Sequence, residues 1–214
     1  MTVTTTAWPG TARIRQSYAS LAEQYTAMTA SYSRFPGLQQ ELEAFLVTLP
    51  DGPVLDLGCG AGRDAHLTSA TGRTAVLADV TIELLTATAT RLATPHAVCG
   101  DAIALPFRQA CFAGIIASGV LLHLPKPYTA AALTGIHRTL RPGGRALISM
   151  KHGGRDGWRT TEEFPAPRWF SYYEPEEFAD ACRAVGLRVV HLDKSTRKDW
   201  FTATTERPPS GGGG

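Results

Sequence analysis

Apolar residues fall into two regimes along this chain. In the first fifty residues they recur at helical spacing. Ile14, Tyr18, Leu21, Tyr25 and Met28 form one series, and Leu38, Leu42, Phe45, Leu46 and Leu49 the next. Such spacing gathers the side chains on one face and predicts two amphipathic helices, over 12–28 and 38–48. Pro36-Gly37 separates them, and Asp51-Gly52-Pro53 stops the second. Beyond that point short apolar runs alternate with helical stretches. Strands are predicted at 53–57, 74–78, 96–99, 112–118, 145–150, 187–193 and 199–205, and helices at 63–70, 82–92, 127–140 and 175–185. Strands alternating with helices imply crossover connections and a largely parallel sheet covered on both faces. Only Lys194–Lys198 joins the last two strands, too little for a crossover, so these pair as an antiparallel hairpin.

Composition adds bounds rather than detail. The 214 residues suffice for one core, with 43% hydrophobic and 19% charged residues. We expect a loose tail over 1–11, a single domain over 12–207 and a flexible end over 208–214. The apolar runs are strand-length, and the N-terminus lacks the basic start and apolar core of a signal peptide, which predicts neither a membrane span nor a leader. A net charge of +2, with a modest cluster at Lys194, Arg197 and Lys198, argues against nucleic acid as a partner. Cys59, Cys99, Cys111 and Cys182 show neither a C-x-x-C pair nor zinc spacing. Buried thiols in a reduced cytoplasmic setting are expected, with a reactive Cys59 as the alternative.

Candidate chemistry concentrates at 54–64, Val-Leu-Asp-Leu-Gly-Cys-Gly-Ala-Gly-Arg-Asp, where a buried strand ends in a glycine-rich turn before a helix. Glycines permit unusual dihedrals and let a ligand approach the backbone. The spacing is G-x-G-x-G, whereas a dinucleotide cradle requires G-x-G-x-x-G, which shifts the expected ligand from a pyrophosphate to a nucleoside. Asp79 ends the second strand about twenty residues later, as a ribose-binding acid should in this architecture. It could instead cap the helix starting near Thr81. Asp101 and the Ala102 N–H follow the third strand; an adenine edge needs one acceptor and one donor, although a solvated turn aspartate reads the same.

These segments resemble class I S-adenosylmethionine-dependent methyltransferases. The resemblance runs over roughly 40–205, through the glycine loop, Asp79, the Gly100-Asp101-Ala102 segment with Leu105-Pro106-Phe107, Leu122-His123-Leu124, and Arg141-Pro142-Gly143-Gly144. Ala113 stands where many relatives carry aspartate. The resemblance implies a Rossmann-like α/β fold: a seven-stranded, mostly parallel sheet with an antiparallel C-terminal hairpin, and lid helices over 12–50. It implies S-adenosyl-L-methionine as cofactor, no metal, and cofactor contacts from Asp56, Gly58, Cys59, Gly60, Gly62, Arg63, Asp79, Val80, Asp101, Ala102, Ser118 and Gly119. His123 falls near the pocket mouth as a general base or substrate anchor, or as a packed histidine.

The acceptor is written less legibly. Arg168, Phe170, Tyr172 and Tyr173 precede a helix that Pro175 opens, and this basic and aromatic segment could hold a flat or acidic acceptor or simply cover the sheet edge. With Tyr18, Tyr25 and His123 it forms the expected acceptor site, the tyrosines belonging to a lid or to packing. A small-molecule acceptor, such as a natural-product intermediate or short peptide, methylated at O, N or S by a monomer or homodimer, is the reading. The same aromatic segment resembles methyltransferases of wobble uridines in tRNA, which use a small partner protein. An NAD(P)-dependent oxidoreductase and a non-catalytic cofactor-binding protein remain the other classes; the glycine spacing and the terminal hairpin disfavour the oxidoreductase.

Overall fold

The computed structural model describes residues 7–94, 96–194 and 198–209. Three helices precede the first strand: α1 (Thr11–Ser20), α2 (Ala22–Thr29) and α3 (Leu38–Val47). Then follow β1 (Val54–Leu57), α4 (Arg63–Ala70), β2 (Ala75–Asp79), α5 (Ile82–Arg91), β3 (Ala97–Cys99), β4 (Phe112–Ser118), α6 (Lys126–Thr139) and β5 (Leu140–Lys151). The chain continues through β6 (Gly157–Arg159), β7 (Arg168–Phe170), α7 (Pro175–Ala184), β8 (Arg188–Asp193) and β9 (Trp200–Glu206).

Seven strands form one sheet in the order β3-β2-β1-β4-β5-β9-β8. The first five are parallel, and β9 runs antiparallel between β5 and β8. Because side chains alternate along a strand, β1 and β4 serve two cores at once. Leu55, Leu57, Ile115 and Ala117 face α6 and α7, packing with Leu133, Ile136 and Phe178. Val54 and Ile116 face α3, packing with Leu38, Leu42 and Leu46. The buried Glu206 carboxylate receives Arg145 from β5 (3.1 Å) and Arg188 from β8 (2.7 Å), so the antiparallel strand is tied on both sides.

Four details depart from the sequence expectation. The helix expected over 12–28 breaks at Leu21 (φ −120°, ψ 15°), so α1 and α2 meet at an angle. β5 starts at Leu140 rather than 145, because Arg141–Gly144 form a bulge: Phe112 pairs with Leu140, and the next pair is Gly114 with Arg145. β6 and β7 make an unexpected two-stranded antiparallel sheet, with Trp158 opposite Trp169. Residues expected in the N-terminal tail are packed as well: Trp8 stacks on Trp158 (5.9 Å, 20°) and meets Trp169 edge-on (6.1 Å). Arg197, in the expected basic cluster, and the glycines at 211–214 lie outside the described residues.

Candidate active site

The parallel strands deliver their C-terminal ends to one edge of the sheet, the place where open α/β sheets bind ligands. A cavity opens there. Its walls include Gly58 and Gly60 after β1, Asp79 and Val80 at the end of β2, Asp101 and Ala102 after β3, and Ser118 and Gly119 at the end of β4. Trp8, Thr11, Ile14 and Tyr18 from α1 and its approach, and Tyr25 from α2, close the opposite side. No residue of α3 lines it: that helix lies under the sheet.

Two acids stand at the strand ends on one side of the cavity. Asp79 accepts hydrogen bonds from the Gly60 N–H (Oδ2, 2.9 Å) and the Thr81 N–H (Oδ1, 2.8 Å). It thus serves the turn into α5 and also stands on the cavity wall. A carboxylate offers about four lone-pair sites, so both oxygens keep acceptor capacity for a diol. Burial pushes its pKa up, and the amides that donate to it oppose the rise. Asp101 takes the Ile103 N–H (3.1 Å) and the Thr11 hydroxyl (3.0 Å), tying the start of α1 to the strand ends.

Four residues expected at the cofactor do not line this cavity. Asp56 is buried beneath the loop, where its carboxylate accepts the Ala65 N–H at 3.0 Å and anchors the start of α4. Burial first, then the nearby Asp64, raises its pKa well above the usual range. Gly62 opens α4 at φ +67°, and a Cβ there would lie 2.3 Å from Thr88 Cγ2, so its bareness serves helix packing. Arg63 is held bidentately by Asp64 (2.7 and 3.1 Å) and stacks on Phe35 (4.3 Å). With Cys59 it borders a smaller second cavity, which Gly58, Tyr25 and Ser118 share with the first. Cys59 is buried and its thiol is pushed well up by that burial, then by Asp56 and Asp79, which leaves no thiolate for reactivity. Cys182 is buried too, whereas Cys99 is exposed on the edge strand β3, against expectation.

At the other end of the cavity Tyr18 and His123 meet. The Tyr18 hydroxyl lies 2.8 Å from His123 Nε2, and His123 Nδ1 lies 2.6 Å from the Trp169 carbonyl oxygen. A carbonyl can only accept, so Nδ1 carries the proton and Nε2 accepts from Tyr18. Burial lowers the His123 pKa to about 4, and Arg168 and Lys151 contribute to the lowering. Burial raises Tyr18, while the Arg168 guanidinium beside it pulls it back down. Phe170 packs edge-on against the His123 ring at 4.9 Å. Tyr172 lies outside this cluster, over Gly154 and Arg159. Tyr173 points the other way, into the core against Phe178 (5.4 Å). Trp8, Thr11, Thr81, Leu84 and Val120 were not anticipated; only the helical spacing that marked Ile14 and Tyr18 hinted that this end of α1 faces inward.

The residues fit a nucleoside with a polar amino-acid tail. Ser118 Oγ is buried without a hydrogen-bond partner on the wall shared by both cavities, a group waiting for a polar ligand. A Cβ on Gly60 would come 2.8 Å from the Tyr25 ring, and one on Gly58 would come 2.5 Å from Val120, so both glycines are packed closely against cavity-lining side chains and leave no space for a Cβ. Among the described residues no helix is long and apolar enough to cross a membrane, and no group of three His, Cys, Asp or Glu could hold a metal ion.

Sheet order, glycine turn and the two strand-end acids together define a Rossmann-like domain of the class I methyltransferase type. Residues 54–144 match the family described as methyltransferase domain, and the chain resembles the class I S-adenosylmethionine-dependent methyltransferases. It is 34% identical over 140 residues to a malonyl-[acyl-carrier protein] O-methyltransferase of Herminiimonas arsenicoxydans, covering 63% of this chain and 52% of that protein. The chain spans about half or less of the curated relatives it matches. In fold it is similar to the 1,6-didemethyltoxoflavin-N1-methyltransferase of Burkholderia thailandensis, solved with 1,6-didemethyltoxoflavin and S-adenosylhomocysteine (TM-score 0.72, 21% identity, 95% and 92% coverage of the two chains). The [4+2]-cyclase SpnF is equally similar (TM-score 0.72, 17% identity, 96% and 98% coverage).

Proposed function

We propose that the protein transfers a methyl group from S-adenosyl-L-methionine to a small-molecule acceptor bound beside Tyr18 and His123. The observation that carries this reading is the continuity of one cavity from Asp101 and Asp79, through Ser118, to Tyr18 and His123. When bound, the cofactor supplies an electrophilic methyl group on a sulfonium. Asp101 and the Ala102 N–H would hold the adenine edge, and Asp79 the ribose hydroxyls. Gly58, Ser118 and Gly119 would receive the amino-acid portion. α1 and α2 act as the lid that excludes water, which strengthens polar contacts inside and positions the acceptor.

His123 has the role of a positioning residue in this proposal. Its accessible nitrogen is engaged by Tyr18 and its basicity is depressed, so it fixes the phenol rather than collecting the acceptor's proton. The protein acts in the cytoplasm as a monomer or homodimer in this reading. Because the same fold supports a [4+2]-cyclase, the deciding experiment must read chemistry as well as binding. Titration calorimetry with S-adenosylhomocysteine and with NAD⁺ should show binding of the first alone. Release of S-adenosylhomocysteine is then followed across phenols, amines and carboxylic acids. Absence of S-adenosylhomocysteine binding would overturn the proposal; binding without turnover on any acceptor would favour a non-catalytic cofactor-binding protein.

A further inference from the structure

Arg168 is 9% exposed, and its side chain packs behind Tyr18 at the end of the cavity that Tyr18 and His123 line. Its guanidinium lies over the rings of Phe164 (4.3 Å), Phe170 (5.2 Å) and Tyr18 (5.9 Å). Arginine stays charged in proteins, and a buried guanidinium ordinarily meets a carboxylate. Here, among the described residues, no carboxylate lies within 4 Å of it, and its Nε has no hydrogen-bond partner. The nearest acid in sequence, Glu163, is turned away to Arg34 at 2.5 Å. Asp156 accepts the Tyr172 N–H at 2.9 Å.

A second cation works in the same place. Lys151 is half-buried with its ammonium over the Trp200 ring at 5.0 Å, and its charge and that of Arg168 both act on His123. Asp199 offsets Lys151 in part, and Asp79 lies on the cofactor side of Tyr18 and Tyr25. His123, neutral, supplies no compensating charge to either. Aromatic faces soften the charge of Arg168 but do not replace an anion. The planar guanidinium, which meets the Tyr18 hydroxyl and keeps an unpartnered Nε between aromatic rings, matches a carboxylate on a flat or apolar body. A phosphate dianion would bring a second charge into the same apolar surroundings at greater desolvation cost.

We propose that the acceptor carries a carboxylate that pairs with Arg168, so that the enzyme methylates an organic acid and not a neutral or cationic molecule. This rests on the methyltransferase reading above, and it names the substrate class of that same site. The carboxylate completes a charge balance that the chain leaves open, and it orients the acceptor with its body against Phe170, Tyr18 and His123.

The test uses benzoate, succinate, inorganic phosphate, chloride and the neutral methyl benzoate as probes at equal ionic strength, on the full chain with and without S-adenosylhomocysteine. Benzoate or succinate should raise the melting midpoint by several degrees beyond chloride, and methyl benzoate should not. Arg168→Met should abolish the carboxylate shift. Arg168→Lys, which keeps the charge but loses the fork, should weaken the affinity for benzoate about tenfold and guards against a misfolded Met variant. Carboxylates no better than chloride, phosphate better than benzoate, or an undiminished shift in Arg168→Lys and Arg168→Met would each overturn the proposal. The S-adenosylhomocysteine shift of the wild-type protein is read separately. Its loss counts against the cofactor reading, while the carboxylate arm is still decided on the protein alone.

Discussion

Tyr18 donates its hydroxyl hydrogen to His123 Nε2 at 2.8 Å, and the Trp169 carbonyl holds the opposite ring nitrogen at 2.6 Å, so a helix residue, a loop residue and a strand backbone form one chain of contacts. The imidazole is thereby fixed in one tautomer with no nitrogen free for the acceptor. His123→Gln retains an acceptor for the phenol and should keep kcat/KM within about threefold of wild type. His123→Ala and Tyr18→Phe each remove a buried hydrogen bond and should cost about tenfold, roughly 1.4 kcal/mol. The pH profile of kcat/KM between 5.5 and 8.5 should show no limb belonging to His123. An acid limb near pH 6.5 that vanishes in His123→Gln would instead make His123 the general base.

The same histidine should leave a mark on stability. Its folded pKa of about 4 lies below the ordinary histidine value of 6.5, so the folded state binds fewer protons than the unfolded chain between those values. Its contribution is therefore full above pH 6.5 and is lost as pH falls toward 4, by about 3 kcal/mol in total. Asp56 and Asp79, both raised, act in the opposite sense and gain stability on acidification. The comparison that isolates His123 is wild type against His123→Gln by urea unfolding. The wild type's advantage should shrink by about 3 kcal/mol from pH 7.5 to 4, and a constant difference would contradict the buried, neutral assignment.

How legible the site was in the sequence depends on how local its causes are. The glycine turn, Asp79 and Asp101 could be placed because each follows directly from the end of an apolar run, and the sheet's alternation fixes where a strand end must lie. Trp8 could not, since its position comes from stacking on Trp158 and Trp169, some 150 residues away in the chain. The three-residue strands β6 and β7 are too short for a periodic signal. Tyr173 was assigned to the acceptor with its neighbours, yet the chain turns after Phe170, and its amide bonds to the Lys151 carbonyl while its ring enters the core. The break at Leu21 carries no glycine or proline, and it lets Tyr18 and Tyr25 meet edge-to-face at 5.2 Å on the cavity side.

Gly58, Gly60 and Gly62 of the loop are all left-handed, and Gly60 and Gly62 should fail differently. Gly60 (φ +48°) faces Tyr25, with 2.8 Å from an added Cβ to the ring, and its amide donates to Asp79. Gly60→Ala should displace that ring into the cavity and weaken S-adenosylhomocysteine binding at least tenfold. Gly62 (φ +67°) faces Thr88 and Leu92 of the packed helix. Gly62→Ala combines about 1–2 kcal/mol of backbone strain with overpacking of similar size, so it should cost about 2–4 kcal/mol of stability. Ligand affinity of the folded fraction should stay within about threefold. Urea unfolding beside calorimetry separates the two, and equal loss of affinity in both variants would refute the division.

Asp79 offers a test of the ribose assignment that separates diol binding from loop integrity. Asp79→Asn keeps one oxygen for a backbone amide but replaces the other acceptor by a donor. The loss of a charge-assisted bond is worth about 1.5–3 kcal/mol, so S-adenosylhomocysteine should bind about 10- to 100-fold more weakly. Adenine alone, which has no diol, should bind the variant and the wild type alike. Equal weakening of adenine would mean that the variant disturbs the loop through the Gly60 and Thr81 amides instead.

The N-terminal cover can be tested at a single side chain. Trp8 lines the cavity and is held by Trp158 and Trp169, while Thr11, one turn into the same segment, bonds to Asp101 at 3.0 Å. If this segment is the lid, Trp8 must leave before a bound ligand does, and its stacking sets part of the barrier to exit. Trp8→Ala removes that stacking and should raise the dissociation rate of S-adenosylhomocysteine about tenfold, the kinetic counterpart of about 1.4 kcal/mol. Association should change far less, because the open form already admits the ligand. Stopped-flow displacement reads both rates, and Trp8→Phe, which keeps a ring for Trp158, should recover most of the effect. An unchanged dissociation rate in Trp8→Ala would show that Trp8 only packs, and that closure of the cavity rests on Tyr18 and Tyr25.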